Sequence, residues 1–279
     1  MRALFAVVLL AFGLGLPRAV WAEPPELSLS FGDKTQAYTA ADLLARPDAA
    51  TIEIPSDVTY KRAMTYRAVP LLALLGDVDR NVDTIEAAAS DGFVSQIPMA
   101  LVRKGADGGA VAWVAVEDPK ALWPPLAGKD VSAGPFYLVW QNPVRSNVGS
   151  EQWPYQLASL TGVESPAHRW PQIAVDASLP ADAPARRGEV VFTVQCMPCH
   201  KMKGGGAADV GPDLGQPMGP TQYTTMEGLR RLIRDPASVR TWPERRMQGF
   251  DEKTLSDDDL DAVIAYLAHM APQQVVPAP

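Results

Sequence analysis

The residues best suited to redox chemistry lie within five positions, Cys196-Met-Pro-Cys-His200. This stretch contains both cysteines of the chain and one of its three histidines. Two thiols three positions apart on a turn could form a redox-active disulfide, bind a metal ion, or add to the vinyl groups of a haem. In the last case, the adjacent imidazole would lie beneath the iron as an axial ligand.

The rest of the sequence favours haem attachment over the other two kinds of site. A thioredoxin-like pair is expected in a βαβ context and gives no reason for a histidine directly after the second cysteine. A zinc ribbon needs a second pair of ligands, and the chain has no further cysteine. We therefore predict one covalent haem c, attached through Cys196 and Cys199 and ligated by His200.

The segment around this motif resembles the class I cytochromes c. Gly188-x-x-x-Phe192 precedes the first cysteine at the spacing of the first helix of that family, and Gly211-Pro-Asp-Leu214 follows at a familiar distance. The resemblance implies that the glycine and the aromatic ring pack against Tyr266 and Leu267 of the last helix. It also implies that the Pro212 carbonyl accepts a hydrogen bond from Nδ1 of the histidine, which leaves Nε2 for iron.

The same resemblance implies an axial methionine in the loop just before the last helix. Met247 stands at this place, although Gln248 follows it where the family usually has proline. Met218 is the alternative ligand. With His200 and Met247 both bound, the iron would have no open coordination position, and the thioether would raise its potential. These two predicted metal ligands therefore suit a carrier of single electrons, and we assign no catalytic residue.

The first 22 residues have the pattern of a secretory signal peptide. Arg2 is followed by an apolar run from Leu4 to Leu16, and Ala22 ends a small-residue cleavage site. An uncleaved membrane anchor is the alternative, but the run is short for spanning a bilayer. No later segment is long and apolar enough to cross a membrane. We therefore predict export to the periplasm and no stable membrane span after cleavage.

Length and composition indicate two folded domains. The chain has 279 residues, of which 47% are hydrophobic, and its formal charge of −7 argues against a nucleic-acid-binding protein. Residues 174–185 are small and proline-bearing, which is typical of a linker. We predict a first domain over residues 23–173, a second domain over 186–271 and a disordered tail over 272–279.

Hydrophobic periodicity predicts an α+β fold for the first domain and an all-α fold for the second. The strands predicted in the first domain are Leu27–Phe31, Thr51–Ile54, Thr84–Ala89, Phe93–Ile97, Ala110–Val116 and Phe136–Trp140, and its helices are Ala40–Leu44 and Pro70–Leu75. The helices predicted in the second domain are Arg186–Gln195, Met226–Arg234 and Asp257–Met270.

The first domain is similar to the sulfite oxidase-type molybdopterin-binding fold. The stretches that carry the similarity are Tyr66–Leu75, Ala89–Pro98 and Gly134–Trp140. In that family a cysteine thiolate holds the metal, whereas this chain has no cysteine outside the haem motif. A molybdenum site of that kind is therefore not expected, and the domain would serve as a docking or assembly module.

Together these features predict a periplasmic cytochrome that carries single electrons between a donor protein and an acceptor protein. One alternative is an oxidoreductase or dehydrogenase subunit whose first domain binds a substrate or a pterin-type cofactor. Another is a redox sensor in which the haem changes what the first domain binds. The sequence names neither redox partner, and it contains no Ser/His/Asp set, since His168 is the only histidine before the haem segment.

Overall fold

The computed structural model describes residues 24–76 and 82–271. The predicted signal peptide, residues 1–22, and the predicted tail, residues 272–279, lie outside the described residues. The strands are β1 (Glu26–Phe31), β2 (Lys34–Thr39), β3 (Ala50–Ile54), β4 (Met64–Pro70), β5 (Thr84–Ala89), β6 (Val94–Pro98), β7 (Val111–Val116), β8 (Phe136–Gln141) and β9 (Leu157–Val163). The helices are α1 (Ala40–Leu44), α2 (Leu71–Leu75), α3 (Met99–Arg103), α4 (Pro166–Arg169), α5 (Pro184–Val191), α6 (Pro220–Tyr223), α7 (Met226–Arg234), α8 (Pro236–Val239) and α9 (Asp257–Met270).

The first domain is built on two sheets. One has the strand order β2-β1-β9-β5-β6, and the other has the order β3-β4-β7-β8. All described pairings are antiparallel except that of β1 with β9, which is parallel. The sheet-rich first region and the helical second region confirm the two predicted fold classes, while the likeness to the sulfite oxidase-type fold stays a prediction.

A buried carboxylate organises the core of the first domain. The Asp57 side chain is 1% exposed and accepts hydrogen bonds from the backbone N–H groups of Thr59 and Tyr60 at 2.9 and 2.8 Å. It also accepts hydrogen bonds from the hydroxyls of Tyr66 and Tyr137, at 2.8 and 3.3 Å. Every one of these partners comes from the first domain, so the network ties β4 and β8 to the loop between β3 and β4.

The second domain is organised by the close crossing of α5 and α9. A Cβ atom added to Gly188 would overlap the carbonyl oxygen of Ala262, so glycine permits the contact. The rings of Phe192 and Tyr266 pack 5.1 Å apart, and the tyrosine hydroxyl donates to the carbonyl of Ile173 at 2.7 Å. The packing expected of the glycine and the aromatic residue on this helix is therefore confirmed.

The segment predicted as a linker, residues 174–185, lies against the second domain. Val175 is 7% exposed and belongs to the helical core. The guanidinium of Arg186 donates to four carbonyl groups that precede it, those of Asp176, Ala177, Leu179 and Pro180. The predicted domain boundaries stay a prediction. The segment itself packs against the second domain, and we call residues 174–185 the strap.

The described residues contain no helix that could cross a bilayer. The longest, α9, has 14 residues and ends at Met270. Its first turn is held by Ser256, whose hydroxyl accepts a hydrogen bond from the N–H of Asp259 at 3.2 Å. A serine at this position caps the N-terminus of the helix.

Candidate metal centre

One tight turn, residues 192–200, contains both cysteines and the histidine, and we call it the attachment turn. After α5 the helix widens into one turn of π-helix over Phe192–Cys196, in which the Met197 N–H donates to the Phe192 carbonyl at 2.8 Å. The Cys196 carbonyl then accepts from the N–H groups of Cys199 and His200, at 3.1 and 2.9 Å. Both cysteines are free thiols, so neither is consumed by a disulfide.

The tautomer of His200 is set by its neighbour. Its Nδ1 lies 2.8 Å from the carbonyl oxygen of Pro212. Because a carbonyl oxygen only accepts, Nδ1 must carry the proton and Nε2 keeps its lone pair. This contact, implied by the resemblance to cytochromes c, is confirmed. Burial lowers the pKa of His200, and the bond to Pro212 opposes this shift, so the ring is held neutral in the form that binds a metal.

The loop after the histidine is shaped around the imidazole. A Cβ atom on Gly211 would lie 2.5 Å from Cε1 of His200, so only glycine lets the chain pass this close. Asp213 holds the loop by accepting hydrogen bonds from the backbone N–H groups of Lys203, Gly204 and Gly215. The sequence pattern includes this aspartate but does not reveal the role that it has here.

The methionines of the second domain have three kinds of surroundings. Met197, Met202 and Met270 are at most 2% exposed and belong to the core, which leaves them as packing residues. Met218, the alternative ligand, is 47% exposed. Met247 is partly buried against the helical core, in a loop whose far end is anchored where the Phe250 N–H donates to the Ile233 carbonyl at 3.0 Å. The predicted ligand Met247 is therefore partly exposed and packs against the outside of the helical core.

The other candidate groups have different roles. His168 is exposed on α4, and Nε2 of His269 accepts a hydrogen bond from the Asp176 N–H at 3.1 Å, so neither is placed as an axial ligand. The guanidinium of Arg240 stacks 5.0 Å from the ring centre of Trp242, and this tryptophan is 50% exposed. These two residues contact each other at the surface.

Two carboxylates of the first domain, Glu151 and Asp91, raise the pKa of thiols in the attachment turn. The sequence analysis predicts neither contact. The turn Ser150–Gln152 packs against Phe192–Cys196. Burial, followed by the negative charge of Glu151, raises the pKa of both Cys196 and Cys199 to about 12. Asp91 contributes to the raised pKa of Cys199, and Arg246 opposes it. No local motif marks Glu151 in the sequence, because its place beside the thiols depends on the packing of the two domains.

Residues 185–271 match the family model for Cytochrome c. This part of the chain is a cytochrome c domain, and the match supports a haem-binding electron-transfer protein. The match does not extend over the first domain. A search of curated proteins finds no match to the chain.

The residues of the cytochrome c domain fit a covalently attached haem. Two free thiols stand at the Cys-x-x-Cys spacing, and the imidazole that follows has its proton on Nδ1. Gly211 keeps the proximal loop in contact with that imidazole without a clash.

Proposed function

We propose that this protein carries single electrons in the periplasm through one haem c, with Cys196 and Cys199 as attachment residues and His200 and Met247 as axial ligands. The observation that carries the proposal is the hydrogen bond from Nδ1 of His200 to the Pro212 carbonyl, at 2.8 Å, next to two free thiols. This contact fixes the tautomer that a proximal ligand needs.

The residues of the site divide the work. Cys196 and Cys199 would hold the haem through thioether bonds to its vinyl groups, with each thiol hydrogen passing to the neighbouring vinyl carbon. His200 would bind the iron through Nε2, and Met247 would offer a weak sulfur ligand that favours the reduced state. A haem bound in this way supplies one-electron redox chemistry. With both ligands bound, the iron would have no coordination position left for a substrate.

The compartment and the partners follow from the sequence and the family. Cytochrome c domains are typically periplasmic or extracellular, and the first 22 residues have the pattern of an export signal. We infer that a donor protein and an acceptor protein of this compartment exchange electrons with the cytochrome c domain. The first domain covers the attachment turn, which suits a module that limits access to one side of the haem.

Attachment is tested on protein made in cells that can attach haem c. We expect haem to remain bound after acid extraction, with one iron per chain. Cys196→Ala and Cys199→Ala should each weaken retention, and the double variant should lose it. Protein that incorporates no haem, or releases it fully on extraction, contradicts the proposal.

The sixth ligand is tested separately with Met247→Leu and the matched variant Met218→Leu. We expect only Met247→Leu to abolish the absorption band of a sulfur–Fe(III) bond and to lower the midpoint potential. The reverse outcome would transfer the ligand role to Met218 while leaving haem attachment intact.

A further inference from the structure

A single turn of the first domain contacts the cytochrome c domain both within the haem motif and after it. We call residues 89–94, which join β5 to β6, the bridging turn. The Val94 N–H donates to the Pro198 carbonyl at 3.0 Å, inside the attachment motif. The Gly92 carbonyl accepts from the Asp209 N–H at 3.3 Å, in the loop that leads to Pro212. These backbone contacts fix the bridging turn against the proximal side.

The third contact reaches the loop of the sixth ligand. Nη2 of Arg246 lies 3.2 Å from Oδ2 of Asp91 and 3.3 Å from the Asp91 carbonyl oxygen. Arg246 directly precedes Met247 in the chain. Within the same loop, Arg245 bonds to the carbonyls of Trp242 and Met247, and these contacts stay inside the loop. The contact between Arg246 and Asp91 therefore joins the methionine loop to a second, separately folded part of the molecule.

We propose that Asp91 is a positioning residue for the sixth haem ligand. Through Arg246 it holds the Met247 loop to the bridging turn, so that the first domain stabilises the methionine-ligated state of the iron. This inference rests on the proposed ligation by Met247. It gives the first domain a role in the electron-transfer site although that domain supplies no ligand.

The expected size of the effect follows from the exposure of the pair. The side chains of Arg246 and Asp91 are 51% and 33% exposed, and ion pairs with this much solvent contact contribute little. An added ligand such as imidazole binds the ferric iron only when the methionine is displaced, so its apparent affinity reports the fraction of detached loops. Loss of the contact should strengthen imidazole binding about two- to fivefold.

The test uses the full-length haem-loaded protein and the variant Asp91→Asn. Oδ1 of Asp91 accepts a hydrogen bond from the Phe93 N–H at 3.2 Å, and asparagine retains such an oxygen, so the turn is kept while the charge is lost. The matched control is Glu244→Gln, which removes one negative charge beside Arg245 and Arg246. We expect tighter imidazole binding and a weaker sulfur–Fe(III) band for Asp91→Asn, and unchanged values for Glu244→Gln.

Salt and a double variant separate an ionic tie from a general loss of structure. Raising the salt concentration should move the wild-type affinity towards that of Asp91→Asn and leave this variant little changed, because salt screens exposed charges. Arg246→Gln should reproduce the effect of Asp91→Asn, and the double variant should add nothing further. If Asp91→Asn fails to fold, Arg246→Gln and the salt series still decide the matter.

Three outcomes would overturn the inference while leaving the ligation by Met247 intact. The first is an imidazole affinity that neither Asp91→Asn nor Arg246→Gln changes. The second is additive effects of the two substitutions, and the third is an affinity in the wild type that does not depend on salt. A wild-type spectrum without a sulfur–Fe(III) band overturns the ligation by Met247, and the inference with it. A retained band with unaffected variants removes the inference alone.

Discussion

The buried Asp57 network of the first domain and the cysteine–histidine turn of the second are both polar arrangements, but they differ in what they leave free. The carboxylate of Asp57 accepts from two backbone N–H groups and two tyrosine hydroxyls, all within the same domain. At the turn, backbone hydrogen bonds fix the chain while both thiols stay unpaired. A network that uses its polar atoms internally stabilises a fold, whereas one that presents reactive atoms is built for chemistry.

The ionisation of the two clusters supports this distinction. Burial, and then the negative charge of Asp57, raises the pKa of Tyr66 and Tyr137 above the usual value for tyrosine. Both hydroxyls therefore remain donors. At the turn, the pKa of His200 is lowered by burial, so the imidazole remains an acceptor at Nε2. Burial therefore keeps the tyrosine hydroxyls protonated in the first cluster, and it keeps the imidazole neutral and able to bind a metal in the second.

The largest expected effect concerns the helix crossing beneath the haem motif. Gly188→Ala places a methyl group on the Ala262 carbonyl oxygen, which no rotamer change relieves, and should cost about 3 kcal/mol or more of unfolding free energy. Haem incorporation should fall with it, as measured by the Soret absorbance per chain. Gly228→Ala, within α7, is the matched control and should keep haem content. An unchanged stability of Gly188→Ala contradicts the close packing described here.

The second prediction breaks the network of the first domain. Asp57→Ala leaves the Tyr66 hydroxyl and two backbone N–H groups without their acceptor, at an expected cost of about 2–4 kcal/mol. Urea denaturation followed by far-UV circular dichroism measures the loss. Haem absorbance should persist, because the network lies outside the haem domain. The control Asp48→Ala removes a partly exposed surface pair with Arg46 and should cost at most about 1 kcal/mol.

A smaller effect compares equivalent helix starts in the two domains. The hydroxyls of Thr39 and Ser256 each accept a hydrogen bond from the third backbone N–H of α1 and α9, at 3.2 Å in both cases. Replacing either residue by alanine should cost about 1 kcal/mol. Urea titrations of the two variants test this, with Ser30→Ala, outside any helix start, as the control. A large difference between the two variants would show that one cap has a further tertiary role.

The last prediction concerns pH and the interface between the domains. Burial raises the pKa of Glu151 above its unfolded value, so its contribution to stability is present in acid and is lost as the pH rises through the folded pKa. The bond from Ser150 and the positive charge of Lys61 oppose this shift, and the two thiols beside it stay neutral because their pKa is about 12. Glu151→Gln should therefore match the wild type in acid and become more stable than it as the pH rises.

Urea titrations between acidic and neutral pH measure this difference. Glu53→Gln, which removes an exposed carboxylate from the same domain, should follow the wild type throughout. If Glu151→Gln also follows the wild type at every pH, the glutamate is not buried against the attachment turn as described.

The elements with strong periodicity or clear end signals were predictable from the sequence. The six predicted strands are present with ends within one residue, and α1, α7 and α9 have the predicted bounds. The first helix of the second domain runs from Pro184 to Val191 as an α-helix and then becomes one turn of π-helix, which a 3.6-residue period does not indicate. Local sequence patterns therefore predicted these helices and strands, but they did not predict the π-helical turn at the haem motif.

The elements that were not predicted depend on partners distant in the chain. β2 is polar and mostly exposed, and it is defined by its pairing with β1. β9 carries Gly162 and lies between β1 and β5, where non-local pairing makes it a strand. In the site, the hydrogen bond from His200 to Pro212 was accessible from a motif, whereas Asp91 and Glu151 were not. Their roles arise from contacts between domains, and no spacing within the chain encodes these.

The strap, which Arg186 holds by hydrogen bonds, determines where the cytochrome c domain can be separated from the first domain. Because Val175 and Ile173 fill the helical core and the guanidinium holds four carbonyls of residues 176–180, a shortened chain that begins at residue 186 would lack part of its own interior. A self-sufficient fragment must start before Trp170, whose ring also packs on that core. We therefore expect proteases and fusion designs to separate the two domains best before Trp170, earlier in the chain than the composition of residues 174–185 suggests.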